Sequence, residues 1–283
     1  MQTRLTGRLK THFVDTQGPA TLIGEKINPT GNKKLSAALQ AGDYEYVRQL
    51  ALDQVAAGAD VLDVNVGIPG SNEPELMQTI VQILAETVEV PLCLDSPNFE
   101  ALKAALPLAP GRPLVNSVNA EEVSLEKILP LVKEHDCVVI GLTIDEKGIP
   151  KDVDTRLKLT GKILERAARF KIAPEDVIID PLVLAVSTDH EAASITLQAI
   201  ERIRAEFGVS INLGASNVSF GLPERHILNQ SFLALALAAG ANCLISDPFK
   251  LSMTLRATDL LLGRDPFSAR YIGHFRAMRG AKS

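Results

Sequence analysis

The chain has 283 residues, of which 46% are hydrophobic and 22% are charged, and its formal net charge is −5 at pH 7. This length suits one large hydrophobic core, and the charges contain no lysine or arginine block of the kind that binds a nucleic-acid backbone. No apolar stretch approaches the about 20 residues that a membrane span needs, so we expect a cytoplasmic protein with neither nucleic acid nor a membrane as a partner.

Eight short apolar runs predict strands, in chain order, at residues 21–28, 60–65, 91–96, 113–118, 138–143, 177–182, 211–217 and 243–248. Stretches with helical periodicity lie between them and predict return helices at 43–58, 74–88, 98–106, 120–135, 151–170, 189–207, 229–239 and 250–262. Apolar runs of this length, rich in β-branched residues and leucine, are typical of parallel strands buried on both faces. The pattern predicts a single-domain α/β protein, a (β/α)8 TIM barrel over residues 21–283. Residues 1–20 form an N-terminal extension that either caps the barrel bottom or extends over a neighbour, and residues 265–280 predict a final basic helix.

Polar residues are concentrated where the predicted strands end, which in a barrel of this kind is where the active site forms. Among them, Asp63, Asp95, Asn116 and Asp180 still lie inside apolar runs, where an unpartnered polar group would be costly to bury. Carboxylates and carboxamides in fixed directions fit a planar heterocycle that carries N–H groups and a ring carbonyl. A phosphate would instead require glycine-rich turns or a cation after the last two strands.

The three cysteines and the histidines do not form a recognisable metal site. Cys93, Cys137 and Cys243 lie singly in three different predicted strands, so we interpret them as small core residues and predict no bound metal. His190 and His226 follow strands closely enough to approach the barrel mouth. We interpret both as surface or rim residues, with a catalytic base as the alternative.

Seven segments, each at or near a successive strand end, carry a more specific signal. They are IGEKINPTG, LDVNVG, LCLDS, VNSVNAE, IGLTIDEKGIPKD, IIDPL and GASNVSFGLPER, in this order. From about residue 22 to the C-terminus the chain resembles the pterin-binding methyltransferase family. That family includes the methyltetrahydrofolate:corrinoid protein methyltransferases, the folate-binding module of cobalamin-dependent methionine synthase and, more distantly, dihydropteroate synthase.

The resemblance implies a barrel that holds tetrahydrofolate by its pterin ring, with the glutamyl tail toward solvent. The positions that match the family's pterin-binding residues are Asp95, Asn116, Asp180, Asn217, Glu25 and Asn28. Asn217 matches the residue that contacts N5, the nitrogen that carries the methyl group, and Asp63 matches a carboxylate near the same region. These two residues are the candidate catalytic groups.

The implied reaction moves the methyl group of 5-methyltetrahydrofolate to the cobalt(I) of a corrinoid such as cobalamin. The departing nitrogen is a strong base, so N5 must be protonated before or during transfer. We expect Asn217 to stabilise the protonated form while the proton arrives through water and Asp63, and we expect no side-chain acid that titrates near neutral pH. The sequence has neither the corrinoid-binding pattern D-x-H-x-x-G nor a zinc thiolate site. The corrinoid is therefore expected on a separate partner protein, and a homodimer is the family expectation.

Two other functions remain open at this point. A dihydropteroate synthase-like pterin enzyme would need a diphosphate site, and the GASNVS segment lacks the serine, arginine and lysine cluster expected there. A non-catalytic folate-binding protein would keep the pterin residues and could dispense with Asn217.

Overall fold

Eight parallel strands form a barrel in the computed structural model, which describes residues 1–280. The barrel strands are β3 (Thr21–Ile27), β4 (Val61–Val64), β5 (Leu92–Asp95), β6 (Leu114–Asn119), β7 (Val138–Leu142), β8 (Val177–Asp180), β9 (Asn212–Gly214) and β10 (Cys243–Ser246), preceded by β1 (Gln2–Thr6) and β2 (Thr11–Asp15). Their order is β8-β7-β6-β5-β4-β3-β10-β9. A parallel bridge between Ile179 and Ile211 joins the two ends of this sheet, so the predicted (β/α)8 barrel is confirmed.

The helices surround the barrel. Within residues 1–280 they are α1 (Lys33–Ala41), α2 (Tyr44–Ala56), α3 (Glu73–Thr87), α4 (Phe99–Ala105), α5 (Glu122–Glu134), α6 (Val153–Arg169), α7 (Ala192–Phe207), α8 (Arg225–Ala239), α9 (Pro248–Leu261) and α10 (Ala269–Gly280). The sequence analysis did not predict α1, which occupies the segment between β3 and α2. Its signals are local: Asn32 Oδ1 accepts from the Leu35 N–H at 3.1 Å at its start, and Gly42 ends it with a φ of 70°. None of the described helices is long and apolar enough to span a bilayer.

The inner face of the barrel changes from apolar to polar along the strands. Near the amino ends the inward side chains form one buried cluster that includes Ile23, Val61, Cys93, Leu114 and Ile178. Two positions further along the same strands the residues are Glu25, Asp63, Asp95, Asn116 and Asp180. Because side chains alternate across a strand, residues two apart face the same side. The apolar layer therefore supports a polar layer at the carboxyl-terminal mouth.

The first two strands form an antiparallel hairpin at the opposite end of the barrel. Its Leu5 and Val14 are fully buried within the inner apolar cluster. A bridge between Thr6 and Arg112 ties the hairpin to the segment that leads into β6. The hairpin therefore covers the amino-terminal end and leaves the mouth as the accessible face.

Candidate active site

A cavity of about 330 Å³ opens at the carboxyl ends of β3, β4, β5 and β6. Its lining includes five of the residues singled out in the sequence, namely Glu25, Asn28, Asp63, Asp95 and Asn116. The loop after β3 supplies the rim, where Asn28 Oδ1 accepts from the Thr30 N–H at 2.9 Å and so shapes the turn. The barrel thus brings together residues that are far apart in the chain.

Asp63 and Asp95 are two carboxyl groups that line the same cavity. Asp63 is only 2% exposed, and its Oδ1 accepts a long hydrogen bond from Asn116 Nδ2 at 3.4 Å. Burial, followed by the charge of Asp95, raises the pKa of Asp63 well above its ordinary value. Burial also raises the pKa of Asp95. Both carboxyl groups therefore resist ionisation more than an exposed aspartate does.

Asn65 fixes the orientation of the Asp95 carboxylate. Its Nδ2 donates to Asp95 Oδ2 at 3.0 Å, while its Oδ1 accepts from the Gly67 N–H at 2.9 Å. The Asn65 backbone N–H donates to the Ile27 carbonyl at 2.9 Å. Since the amide oxygen is already engaged as an acceptor, the nitrogen must face Asp95. One Asp95 oxygen is therefore held in place toward the β4 end.

Asp180 lies outside the lining of this cavity, in a second polar contact across the β8 and β9 ends. Asn212 Nδ2 donates to Asp180 Oδ2 at 2.7 Å, and the Leu182 N–H donates to Asp180 Oδ1 at 2.8 Å. Burial nevertheless raises the pKa of Asp180 to about 6. The expectation that the site lacks a neutral-range acid is therefore wrong, because a desolvated carboxyl can titrate there without any histidine.

Asn212 is a site residue that the sequence analysis missed. It is fully buried, and its Oδ1 has no hydrogen-bond partner among the described residues. Thr143 directly follows β7 and Ser246 ends β10. Their hydroxyls are likewise buried without a hydrogen-bond partner among the described residues. Buried polar atoms are normally paired, so these three call for a ligand or ordered water. The available signal was an asparagine inside the apolar run INLG.

Asn217 lies beside the cavity rather than in its lining. It is exposed on a short 3-10 helix, Ala215–Ser219, and no hydrogen bond of its side chain is found within residues 1–280. The flanking residues are anchored: Ser216 Oγ donates to Glu25 Oε1 at 3.3 Å, and Arg225 donates to the Ser216 carbonyl at 2.9 Å and to Ser219 Oγ at 3.0 Å. The loop is therefore held at the mouth while the amide of Asn217 stays available.

The cysteines and the two candidate histidines do not line the cavity. Cys93, Cys137 and Cys243 are all buried and unpaired, in agreement with their interpretation as core residues. His190 is exposed, and His226 is also exposed, with its Nδ1 3.4 Å from Glu224. The polar chemistry of the cavity thus comes from carboxyl and amide groups.

Comparison with known proteins shows which family this chain resembles. A family model described as "Pterin binding enzyme" matches residues 24–247. The methylcorrinoid:tetrahydrofolate methyltransferase of Eubacterium limosum is 36% identical over 263 residues, covering 90% of this chain and 96% of that protein. The methionine synthase of Mycobacterium leprae (strain TN) is 32% identical over 257 residues, but this chain spans only 21% of its length.

The fold is also shared with solved structures of more distant sequence. The dihydropteroate synthase of Yersinia pestis, determined with a sulfonamide drug, superimposes with a TM-score of 0.72 over 92% of this chain and 99% of that one. Its identity to this chain is 17%, so the likeness concerns the fold alone.

Proposed function

Because the chain belongs to the pterin-binding enzyme family, we propose that it is a methyltransferase acting between N5 of tetrahydrofolate and the cobalt of a corrinoid on a separate protein. The observation that carries this function is the match to a methylcorrinoid:tetrahydrofolate methyltransferase along 90% of this chain and 96% of that protein. The name of that relative gives the methylcorrinoid as donor, whereas the sequence motifs led us to expect 5-methyltetrahydrofolate as donor. Both directions pass through the same transition state, so one set of residues serves either.

The polar layer of the barrel fits a pterin ring. The 2-amino-pyrimidinone edge of a pterin presents neighbouring N–H donors, and a carboxylate such as Asp95 or Asp180 accepts two of them at once. Asn116 supplies an amide that can pair with the ring. Asn212 Oδ1 and the Ser246 hydroxyl, both unpartnered within the described residues, gain partners when a hydrogen-bonding ring is bound.

Asn217 and Asp63 act on N5: the first stabilises its protonated form and the second supplies the proton. The corrinoid supplies the cobalt that exchanges the methyl group. Asn217 reaches over from the anchored loop and hydrogen-bonds N5, which stabilises the charge that develops there. Asp63, whose pKa is raised well above its ordinary value first by burial and then by the charge of Asp95, holds a proton that it passes to N5 through water. In the reverse direction the same carboxylate receives that proton.

The dihydropteroate synthase-like alternative has weaker support. The similar synthase structures are 16–20% identical to this chain. In the anchored loop after β9, Ser216 and Asn217 are uncharged, and the guanidinium of Arg225 is already bonded to the Ser216 carbonyl and the Ser219 hydroxyl.

We also propose that the enzyme is a cytoplasmic homodimer. Leu261, the last residue of α9, is 86% exposed, and Phe267, just before α10, is fully exposed. Contact with a second copy would remove these apolar side chains from water. Sedimentation equilibrium of the purified protein tests the dimer: a single species at monomer mass contradicts it.

Spectroscopy of methyl transfer tests the function directly. The protein is titrated with 5-methyltetrahydrofolate, cobalt(I) cobalamin is added without oxygen, and the cobalamin absorbance is followed. The reverse assay uses methylcobalamin and tetrahydrofolate. We expect transfer in both directions. Folate binding without transfer would assign a non-catalytic binding protein, and consumption of a pterin diphosphate with p-aminobenzoate would assign the synthase reaction.

A further inference from the structure

A second, smaller cavity adjoins the first at the mouth of the barrel. It has a volume of about 230 Å³ and lies between the ends of β3, β9 and β10. Glu25 and Lys26 line both cavities, so the two are continuous along one wall. The smaller cavity also contains Arg225, Lys250 and Asp247, and it is therefore the cationic part of an otherwise acidic mouth.

The positive charge of this second cavity is only partly compensated. Lys26 Nζ and Lys250 Nζ lie 3.5 and 3.8 Å from the same oxygen, Asp247 Oδ2, so one carboxylate faces two ammonium groups. The Arg225 guanidinium donates to the Ser216 carbonyl and the Ser219 hydroxyl, which are neutral acceptors. Burial and the nearby Asp247 raise the pKa of Glu25, which favours its neutral form. An added anion would balance these cations.

A pterin bound in the first cavity would direct its p-aminobenzoyl-glutamate tail toward this second cavity. If Asp95, Asn116 and Asp180 hold the pyrimidine edge, that edge lies on the β5, β6 and β8 side of the barrel. N5 then lies on the opposite side, near Asn217 in the loop after β9. The carbon that carries the p-aminobenzoyl-glutamate tail is bonded directly to N5. The tail must therefore leave the ring beside Ser216, which lines the second cavity.

We propose that the cavity formed by Lys26, Arg225 and Lys250 binds the carboxylates of the folate glutamyl tail and makes the enzyme prefer polyglutamylated substrates. This inference rests on the proposed function and adds the recognition of the tail to it. Asn229, in the same cavity, has an amide oxygen that is buried without a partner in the described part of the chain. The amide N–H that links the benzoyl and glutamyl groups would satisfy that oxygen. Ammonium and guanidinium groups are suited to carboxylates because the hydrogen bonds are charge-assisted.

Calorimetry on the intact protein tests the proposal with three ligands: 5-methyltetrahydrofolate as monoglutamate and as triglutamate, and 6-methyltetrahydropterin, which has no tail. We expect the triglutamate to bind about tenfold more tightly than the monoglutamate, and this advantage to shrink as salt is added. Lys250→Gln should reduce the advantage, and the Lys26→Gln, Lys250→Gln double variant should remove it. Lys158→Gln, an exposed lysine on α6 at a cavity that shares no residue with these two, is the matched control and should retain it.

The affinity for the tailless pterin distinguishes failure of the tail-pocket proposal from failure of the proposed methyltransferase function. If Lys250→Gln leaves that affinity unchanged while the triglutamate advantage falls, the tail pocket is supported. A triglutamate that binds no more tightly than the monoglutamate, or an advantage that survives in the double variant, overturns the tail pocket and leaves the methyltransferase function intact. Absence of any pterin binding overturns both. If Lys250→Gln weakens the binding of cobalamin instead of folate, the cavity binds the corrinoid phosphate and the tail proposal is wrong.

Discussion

Asn212 Nδ2 donates a 2.7 Å hydrogen bond to Asp180 Oδ2, across the ends of two strands that meet only where the barrel closes. Both side chains are buried. The amide stabilises the ionised carboxylate, yet burial still raises the pKa of Asp180 to about 6. The contact therefore places a carboxyl that titrates near neutral pH in the polar layer of the barrel.

Asn212→Ala is expected to weaken folate binding and to raise the pKa of Asp180 further. The variant removes one of the two donors to the ionised carboxylate and leaves Asp180 Oδ2 buried without a partner, at a cost of about 1 to 3 kcal/mol. Calorimetry between about pH 5 and 8 should give a lower affinity and a midpoint shifted to higher pH. Asn217→Ala, which does not contact Asp180, is the control. An unchanged midpoint in Asn212→Ala would contradict the role of this contact.

Asn217→Ala is expected to slow methyl transfer far more than it weakens folate binding. Charge develops on N5 during transfer, and the loss of one positioned donor typically slows the reaction by ~100-fold or more. Single-turnover transfer to cobalamin and calorimetry measure the two effects separately. Asn72→Ala, an exposed asparagine that precedes α3, is the control and should leave both unchanged. If Asn217→Ala turns over at the original rate, Asn217 has no part in the mechanism.

Asp95→Asn is expected to weaken pterin binding and to lower the pKa of Asp63. The substitution presents a donor to the pterin N–H groups, and it removes the nearby negative charge that helps to raise the pKa of Asp63. Affinity should fall by about tenfold to a hundredfold, and the acidic limb of the transfer rate should move to lower pH. Asp189→Asn, which alters a carboxylate outside both cavities, provides the comparison. Unaltered affinity in Asp95→Asn would place the pterin elsewhere in the barrel.

Acid is expected to accelerate transfer while it weakens folate binding. Transfer from 5-methyltetrahydrofolate needs a proton on N5, so its single-turnover rate should rise as the pH falls. As the pH falls through about 6, Asp180 takes up a proton and no longer accepts two N–H groups, so affinity should decrease.

The same raised pKa of Asp180 means that the folded protein holds this proton more tightly than the unfolded chain does. Without ligand, Asp180 therefore contributes more stability as the pH falls from above 6 toward the ordinary aspartate pKa.

Histidine variants distinguish proton delivery through Asp63 from proton delivery by a histidine side chain. His190→Gln and His226→Gln should each retain the acidic increase in the transfer rate, because neither histidine lines the cavity that contains Asp63. Loss of the acidic limb in either variant would identify that histidine as the acid and would exclude the route through Asp63.

The order of elements and the concentration of polar residues at the strand ends could be predicted from the sequence. The apolar runs marked all eight barrel strands to within a few residues, because a strand buried on both faces must be apolar along most of its length. The structure adds the face: Asp63 lies above Val61 and Asp95 above Cys93, since residues two apart on a strand share a face. Strand positions depend on the hydrophobic pattern of short segments, so they can be predicted from the sequence.

Contacts between strands could be decided only by the tertiary structure. Asn212 finds Asp180, and Asp63 approaches Asp95, because barrel closure fixes strand order and stagger, which no single run encodes. The pKa of a carboxyl depends on its burial and on the charges around it, and both are set by groups from several strands. The sequence by itself therefore determined which polar groups face the mouth of the barrel. The assembled barrel decided which of them meet, and hence which carboxyl groups hold a proton near neutral pH.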